Sequence, residues 1–330
     1  MKRVNIIMVD NDFGLSRDAR ILTEVLQNYN FKVTVFEVGK STLNHKIQRL
    51  STYVERFTSE LNNKNPPYDI NLFLEYVIPS WFPYARLNCL IPNQEWFRDE
   101  WRPFLNQFDY ILCKTKFAQS IFDKLGCQTK FIGFTSLDQF NPQSSKDCDK
   151  FFHLAGKSAQ KGTNTIINLW RHHPEWPPLT IRRNWQEPDS MSTTNIEYIT
   201  HYLDDTVLRE YQNSHGIHLC PSEAEGFGHL IAEAMSCRSV VITTNAPPMN
   251  ELITADRGIL VDYCLTNPQC LGNNYYVDSQ ALEQKINDVL GMDYMTKKRL
   301  GDNARDWYKQ NDSFFRRRIV DVLNSIYLNE

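Results

Sequence analysis

Pro221-Ser-Glu-Ala-Glu-Gly-Phe-Gly-His-Leu-Ile-Ala-Glu-Ala-Met235 packs spaced carboxylates, a glycine turn and a helix start into one short run. The preceding His218-Leu219-Cys220 is a short apolar strand end, Glu225-Gly-Phe-Gly228 is too rich in glycine to be helical, and Leu230, Ala234 and Met235 recur at helical spacing. The sequence therefore predicts a strand that passes through a tight loop into a helix. Backbone N–H groups at such a helix start lack intrahelical partners and stand at the positive end of the helix dipole, which suits phosphate oxygens. Glycines there let the main chain approach a ligand closely. The run reads as a binding loop for a sugar attached to a diphosphate, with Gly226, Phe227, Gly228, His229 and Leu230 presenting the backbone.

Glu225 and Glu233 lie eight positions apart, which gives them different places. Glu225 falls in the loop, where a carboxylate can accept hydrogen bonds from sugar hydroxyls. Glu233 falls a turn or more into the helix, within reach of a ribose diol. A surface helix with an acidic start is the competing reading. The E-x7-E pattern, with Gly-Phe-Gly after its first acid, resembles the signature of family 4 glycosyltransferases of the GT-B fold.

Other segments resemble that family in the same order along the chain. Asn5 to Asp10 reads as an apolar strand, Ser16 to Gln27 as a helix and Lys32 to Val38 as a second strand, a βαβ start. Ile132-Gly-Phe-Thr-Ser-Leu-Asp-Gln-Phe-Asn-Pro142 resembles the segment that leads out of the family's first domain, with Asp138, Phe140 and Pro142 in place and Ser136 where glycine is usual. Phe151-Phe-His-Leu-Ala-Gly-Lys-Ser-Ala-Gln-Lys-Gly162 resembles the first strand and loop of the second domain, with Lys157 and Lys161 at its two basic positions. At Lys157 the family usually carries arginine, so a bidentate grip becomes a point charge. Fixed cations beside a helix start stabilise the charge that gathers on a departing nucleoside diphosphate, with no metal required; a solvated surface role is the alternative for either lysine.

The resemblance implies an α/β GT-B architecture: two Rossmann-like domains facing a cleft, with the C-terminal helix returning to the first. The expected division is an acceptor-side domain over 1–142, a linker over 143–150 in the polar run Gln143-Ser-Ser-Lys-Asp-Cys-Asp-Lys150, a nucleotide-sugar domain over 151–312 and a returning helix over 313–330. Strands are expected at 70–74, 86–91, 109–113, 151–154, 179–182, 197–199, 217–220, 240–243 and 259–261. Helices are expected at 115–125, 164–171, 204–214, 279–290, 298–310 and 313–327. Strands separated by helices make a parallel sheet covered on both faces.

What the resemblance implies for chemistry is transfer of a sugar from a nucleotide donor with retention of configuration and no obligatory metal or other cofactor. Glu225, Lys157 and Lys161 would be the catalytic set, and Glu233 would hold the ribose. In the first domain the loop Asp10-Asn-Asp-Phe-Gly-Leu-Ser16 has one glycine where family members often have two, and Gly14 marks the backbone approach to diphosphate or acceptor. Many members carry a histidine after a middle strand of this domain. The corresponding Ile91-Pro-Asn-Gln-Glu-Trp-Phe97 has none, and Asn93 and Glu95 are expected to face the cleft instead. The aromatics from Tyr76 to Trp101, Trp96 among them, read either as core or as a stacking surface for an acceptor sugar or nucleobase.

Asp10 and Asp12 have the Asp-x-Asp spacing of a metal site or of a phosphatase start, yet neither explains the second half; for Asp12 a cap on the helix near Ser16 is the plainer role. His172, His173, His201, His215, His218 and His229 have no zinc-ligand spacing with cysteine. Asn245-Ala-Pro-Pro-Met-Asn-Glu251 reads as a rigid wall. With 36 Lys and Arg against 39 Asp and Glu, a net charge of −3 supplies no basic field for nucleic acid or an anionic membrane surface. No run nears the roughly 20 apolar residues of a membrane span, no cleavable leader pattern opens the chain, and the eight cysteines lie apart without a Cys-x-x-Cys pair; a cytoplasmic location is the expectation. Two other functions share these features: a nucleotide-sugar epimerase or hydrolase, and a non-catalytic protein that binds a nucleotide sugar or glycan. Donor base, donor sugar and acceptor have no portable code in these loops.

Overall fold

The computed structural model describes residues 1–9, 14–39, 54, 66–184 and 194–328. The chain divides into two compact units, Met1–Ser136 with Asp312–Glu330, and Leu137–Asn311.

In the first unit β1 (Arg3–Val9), α1 (Gly14–Asn28), β2 (Lys32–Val38), β3 (Tyr68–Leu74), β4 (Ala85–Ile91), β5 (Tyr110–Cys113), α2 (Lys116–Lys124) and β6 (Thr129–Phe131) follow in sequence. The strands form one parallel sheet in the order β2-β1-β3-β4-β5-β6. Its central strands are buried on both faces, with Val4, Ile6, Ile7, Leu72, Phe73 and Leu90 fully inside, as the near-continuous apolar runs require. Fully burying each such side chain contributes roughly 1.5–3 kcal/mol. Helix α2 starts where Thr115 accepts from the Ala118 N–H at 3.0 Å, an N-cap of the usual kind.

The second unit contains β7 (Asp147–Gly156), α3 (Thr163–His172), β8 (Leu179–Arg183), β9 (Ile196–Ile199), α4 (Asp205–Ser214), β10 (His215–Cys220), α5 (His229–Ser236), β11 (Val240–Thr244), α6 (Met249–Leu252), β12 (Ile259–Val261), β13 (Tyr263–Gln269), β14 (Gly272–Val277), α7 (Ser279–Leu290) and α8 (Tyr294–Leu328). Its parallel sheet runs β12-β11-β10-β7-β8-β9. Phe151, Ile166, Trp170, Leu179, Ile217, Ile242 and Leu282 make up much of the core. Asp204 and Asp278 cap α4 and α7, accepting from Val207 N and Ala281 N at 2.9 and 2.8 Å.

Three local expectations differ from the structure. β7 begins at Asp147, inside the stretch read as a linker, because backbone pairing of Asp147 with His215 extends the strand although its first side chains are largely exposed. The helices expected at 298–310 and 313–327 are one helix, α8. No proline or glycine lies from 302 to 328 to break it, and Asp312, between the two expected helices, pairs with Arg316 one turn on at 2.8 Å. The hairpin of β13 and β14 is antiparallel and unannounced in the sequence, since β13 contains Pro268 and is exposed along most of its length.

Residues from 312 onward belong to the first unit. Phe315 packs on Phe134 with ring centroids 4.7 Å apart, Arg316 bonds Glu24 at 2.8 Å, and Lys2 donates to Asn324 at 2.6 Å. In the second unit Arg305 grips Asp138 through both guanidinium nitrogens, at 2.5 and 2.8 Å, a bidentate geometry with directional strength. No helix among the described residues is long and apolar enough to cross a membrane.

Candidate functional site

The order β12-β11-β10-β7-β8-β9 places a reversal of winding between β7 and β10. From β7 the chain winds through β8 and β9 on one side, then returns to add β10, β11 and β12 on the other. Loops at the carboxyl ends of two such strands diverge and leave a crevice, the usual ligand position in an open parallel sheet. The two loops here are 157–162 after β7 and 221–228 after β10. Each feeds a helix whose first N–H groups have no side-chain cap, with Gly162 (φ 65) and Gly228 (φ 111) as left-handed N-cap residues. Uncapped amides beside the positive ends of two helices are anion-binding groups.

Lys161 and Glu225, 64 positions apart in sequence, meet in this crevice with Nζ in direct contact with Oε1. Both are mostly buried, 15% and 11% exposed at the side chain. Ser222 Oγ also donates to Glu225 Oε1 at 2.7 Å. The loops are tied to each other by Glu223 N to Gln160 O at 3.0 Å. The unpredicted hairpin buttresses both: Tyr275 N donates to Glu223 O at 2.8 Å and Gln160 Nε2 to Asn274 Oδ1 at 2.9 Å.

His153, which the sequence reading passes over, sits beneath the same loops on β7, 1% exposed. Its Nδ1 lies 2.7 Å from Leu219 O and its Nε2 lies 2.8 Å from Thr163 Oγ1. The carbonyl can only accept, so Nδ1 carries the proton and Nε2 accepts from the threonine hydroxyl. A neutral imidazole thus pins the end of β10 to the start of α3, and burial holds its pKa down at about 4.

Gly162 is required sterically. A Cβ there would stand 2.5 Å from Pro221 O, on a backbone at φ +65. Gly156 has a similar φ of +60 but open space around it. Gly162→Ala is therefore expected to destabilise the second unit by roughly 3 kcal/mol, the clash adding to left-handed strain, whereas Gly156→Ala carries only the strain of about 1 kcal/mol. Urea denaturation of the two variants measures the difference, and equal midpoints would contradict the close approach.

The other sequence-derived positions vary in placement. Lys157 is exposed in the same loop as Lys161. Gly226 and Phe227 are buried, while His229 and Leu230, the first residues of α5, are partly exposed, with the His229 ring edge-on to Phe227 at 5.7 Å. Glu233 is buried to 1% and accepts from Gln212 Nε2 at 3.2 Å, so it faces α4 instead of open solvent. Gly14 opens α1 with nothing within 4 Å of a Cβ. Asp12 lies outside the described residues. Asn93 is half-buried and Trp96 is 46% exposed. Glu95, expected like Asn93 to face the cleft, lies on the short 3-10 turn Gln94–Trp96 and is buried to 4%. Most aromatics of the 76–101 stretch are packed: Trp81 lies 4.3 Å from Phe36, and Phe97 is fully buried 5.4 Å from Phe122. No three His, Cys, Asp or Glu side chains converge as metal ligands among the described residues.

Residues 194–307, which include Glu225, Glu233 and the glycine turn, match the family model Glycosyl transferases group 1. No curated protein matches the chain in sequence. Among solved structures, a sucrose-phosphate synthase from Thermosynechococcus elongatus superposes over 100% of both chains at TM-score 0.72 and 15% identity. A glycosyltransferase from Rickettsia africae does so over 100% of both at 0.71 and 14%. Anabaena HepE in complex with UDP and glucose covers 98% of this chain and 100% of its own at 0.69 and 16%. The chain has the α/β GT-B fold of these glycosyltransferases, and its residues 194–307 match the group 1 family.

Proposed function

We propose that this chain is a family 4-like glycosyltransferase that moves a sugar from a nucleotide diphosphate donor to a hydroxyl acceptor, with retention of configuration and without a metal. The observation that carries the reading is the meeting of Lys161 and Glu225 at the reversal of the second sheet, between two uncapped helix starts. The match of residues 194–307 to the group 1 glycosyltransferases supports it, as does the binding of UDP and glucose by a structural neighbour.

Without ligand, the two side chains neutralise each other. A donor exchanges that pair for stronger complementarity: its phosphates take the Lys161 ammonium and the amides near Gly228, its sugar hydroxyls donate to Glu225, and exposed Lys157 adds a second positive charge. The acceptor oxygen forms its bond to the anomeric carbon as the bond from that carbon to phosphate breaks. The bonding pair leaves with the diphosphate, and the acceptor's proton passes to a diphosphate oxygen. Positioning and a preorganised positive field do most of this work. Glu233 is assigned to the ribose, which requires Gln212 to yield its hydrogen bond.

Thermal unfolding with UDP-, GDP-, ADP- and TDP-sugars tests the reading, because a bound donor raises the melting temperature. At least one donor is expected to shift it, and transfer is expected to persist in EDTA. No shift with any donor would refute the proposal; turnover that releases only free sugar would indicate a hydrolase.

A further inference from the structure

The first sheet has its own reversal of winding, between β1 and β3 in the order β2-β1-β3-β4-β5-β6. At its carboxyl edge four polar side chains from four segments form a largely buried chain. Lys114, just past β5, donates to Asp18 of α1 at 2.5 Å and to Asn93 Oδ1, past β4, at 2.9 Å. The Asn93 amide then donates to Glu75 Oε2, past β3, at 2.6 Å. Lys114 on one side and Glu75 on the other fix the orientation of the Asn93 amide.

Glu75 is the unusual member. Its backbone is left-handed, φ 63, which a non-glycine residue adopts at some strain. That conformation follows directly on the last residue of β3 and is held by Glu75 N to Ile91 O at 2.9 Å. The residue is 9% exposed, and its second carboxyl oxygen, Oε1, has no hydrogen-bond partner among the described residues. Strain of this kind clusters at functional sites, and the reversal of a parallel sheet is where ligands bind.

The geometry points to a carbohydrate acceptor site here: a neutral sugar donates a hydroxyl to Glu75 Oε1 while the exposed indole of Trp96, on the turn that begins beside Asn93, covers an apolar face of the ring. The inference rests on the transferase reading above and names the acceptor class that reading leaves open.

Charge selects a neutral ligand. Asp18 and Glu75 face one ammonium, Lys114, which is already paired with Asp18 at 3% and 2% side-chain exposure. Arg98 also acts on Glu75 but is solvent-exposed and paired with Glu100 at 3.4 Å, so among the described residues that act on Glu75 the buried positive charge is that of Lys114. An anionic acceptor is repelled, whereas a hydroxyl donor supplies what an under-coordinated carboxylate needs. Burial pushes the Glu75 carboxyl above the usual range, consistent with a group whose charge is incompletely compensated until a ligand donates to it. An exposed indole on the turn that begins at Asn93, whose amide holds Glu75, suits a ring that is apolar on its flat side and hydroxylated at its edge.

The test is saturation-transfer NMR on the full chain with glucose, galactose, mannose, xylose and N-acetylglucosamine as probes, and glucose 6-phosphate and glucosamine as charged counterparts. At least one neutral sugar is expected to bind, at least fivefold more tightly than glucose 6-phosphate, and Glu75→Gln is expected to weaken it at least fivefold with unchanged melting temperature. Should Glu75→Gln fail to fold, Trp96→Ala, which alters an exposed side chain, is expected to give the same loss. Silence from all five neutral sugars, preference for the phosphorylated or the amino sugar, or wild-type binding by the substituted chain each overturns the inference. A chain that binds neutral sugars through Glu75 but shifts with no nucleotide sugar fails the transferase reading alone; one that shifts with a nucleotide sugar and ignores neutral sugars fails this inference alone.

Discussion

Lys161→Met is expected to lower the rate constant of sugar transfer by about 100- to 1,000-fold, the loss of roughly 3–4 kcal/mol that follows removal of one preorganised group from a site of developing charge. The Lys161 ammonium is mostly buried at the crevice between the two loops, so its attraction to a departing diphosphate is screened less than that of a surface lysine. Because negative charge on the leaving group peaks after the bond begins to break, most of the loss falls on kcat, and KM for the donor rises by a smaller factor. Lys161→Arg keeps the charge and restores part of the rate. Lys157→Met, which removes an exposed side chain, lowers the rate by less. Single-turnover kinetics with whichever donor raises the melting temperature measure all three. A Lys161→Met rate within threefold of the wild type would mean that the Lys161–Glu225 pair only holds the loops together.

Much of this site is local and therefore legible in sequence. The run from Pro221 to Met235 shows its own turn and helix start, and strand 32–38 lies where alternation puts it. What periodicity cannot convey is which strands are neighbours. Lys161 and Glu225 meet because β7 pairs with β10, which places the ends of two strands side by side across 64 positions of chain. His153 escapes notice because it stands within Phe151-Phe-His-Leu154, where an apolar strand hides one polar residue whose partners come from elsewhere. Glu75 escapes for a different reason. Leu74-Glu75-Tyr76 reads as an ordinary polar strand end, and a left-handed backbone at a residue other than glycine has no compositional mark. Glu95 is a charged loop residue that a single 3-10 turn buries, which its composition does not reveal. The β13–β14 hairpin is largely exposed along β13 and has no alternation to announce it, yet it braces both loops of the crevice.

Acid is expected to unfold the second unit well before its carboxylates are all protonated, because two of its histidines are buried in the neutral form. Burial holds the pKa of His153 at about 4 and that of His218 at about 3, against 6.5 in an open chain. A group whose folded pKa is depressed leaves the native state unprotonated while the unfolded chain takes up protons, so stability is full above pH 6.5 and is lost as pH falls towards the folded values. At pH 5 each histidine has withdrawn roughly 2 kcal/mol, and by pH 3 the two together have withdrawn on the order of 8 kcal/mol. His215, also lowered by burial, adds to the loss; His173, raised by its hydrogen bond to Glu175, and Glu223, raised by burial, oppose it from more exposed positions. His218→Gln removes the titration and supplies an N–H for Gln212 O, now 3.0 Å from Nε2. Urea denaturation at pH 7.5, 6 and 5 is expected to show a falling midpoint in the wild type and roughly half that fall in His218→Gln. A midpoint independent of pH across this range would show that neither ring is held neutral. Donor affinity of the folded chain is expected to hold down to pH 5 and to fall only as the pH nears the folded value of about 4, since protonating His153 turns its Nε2 from acceptor to donor against Thr163 and loosens the start of α3, where the phosphates are proposed to bind.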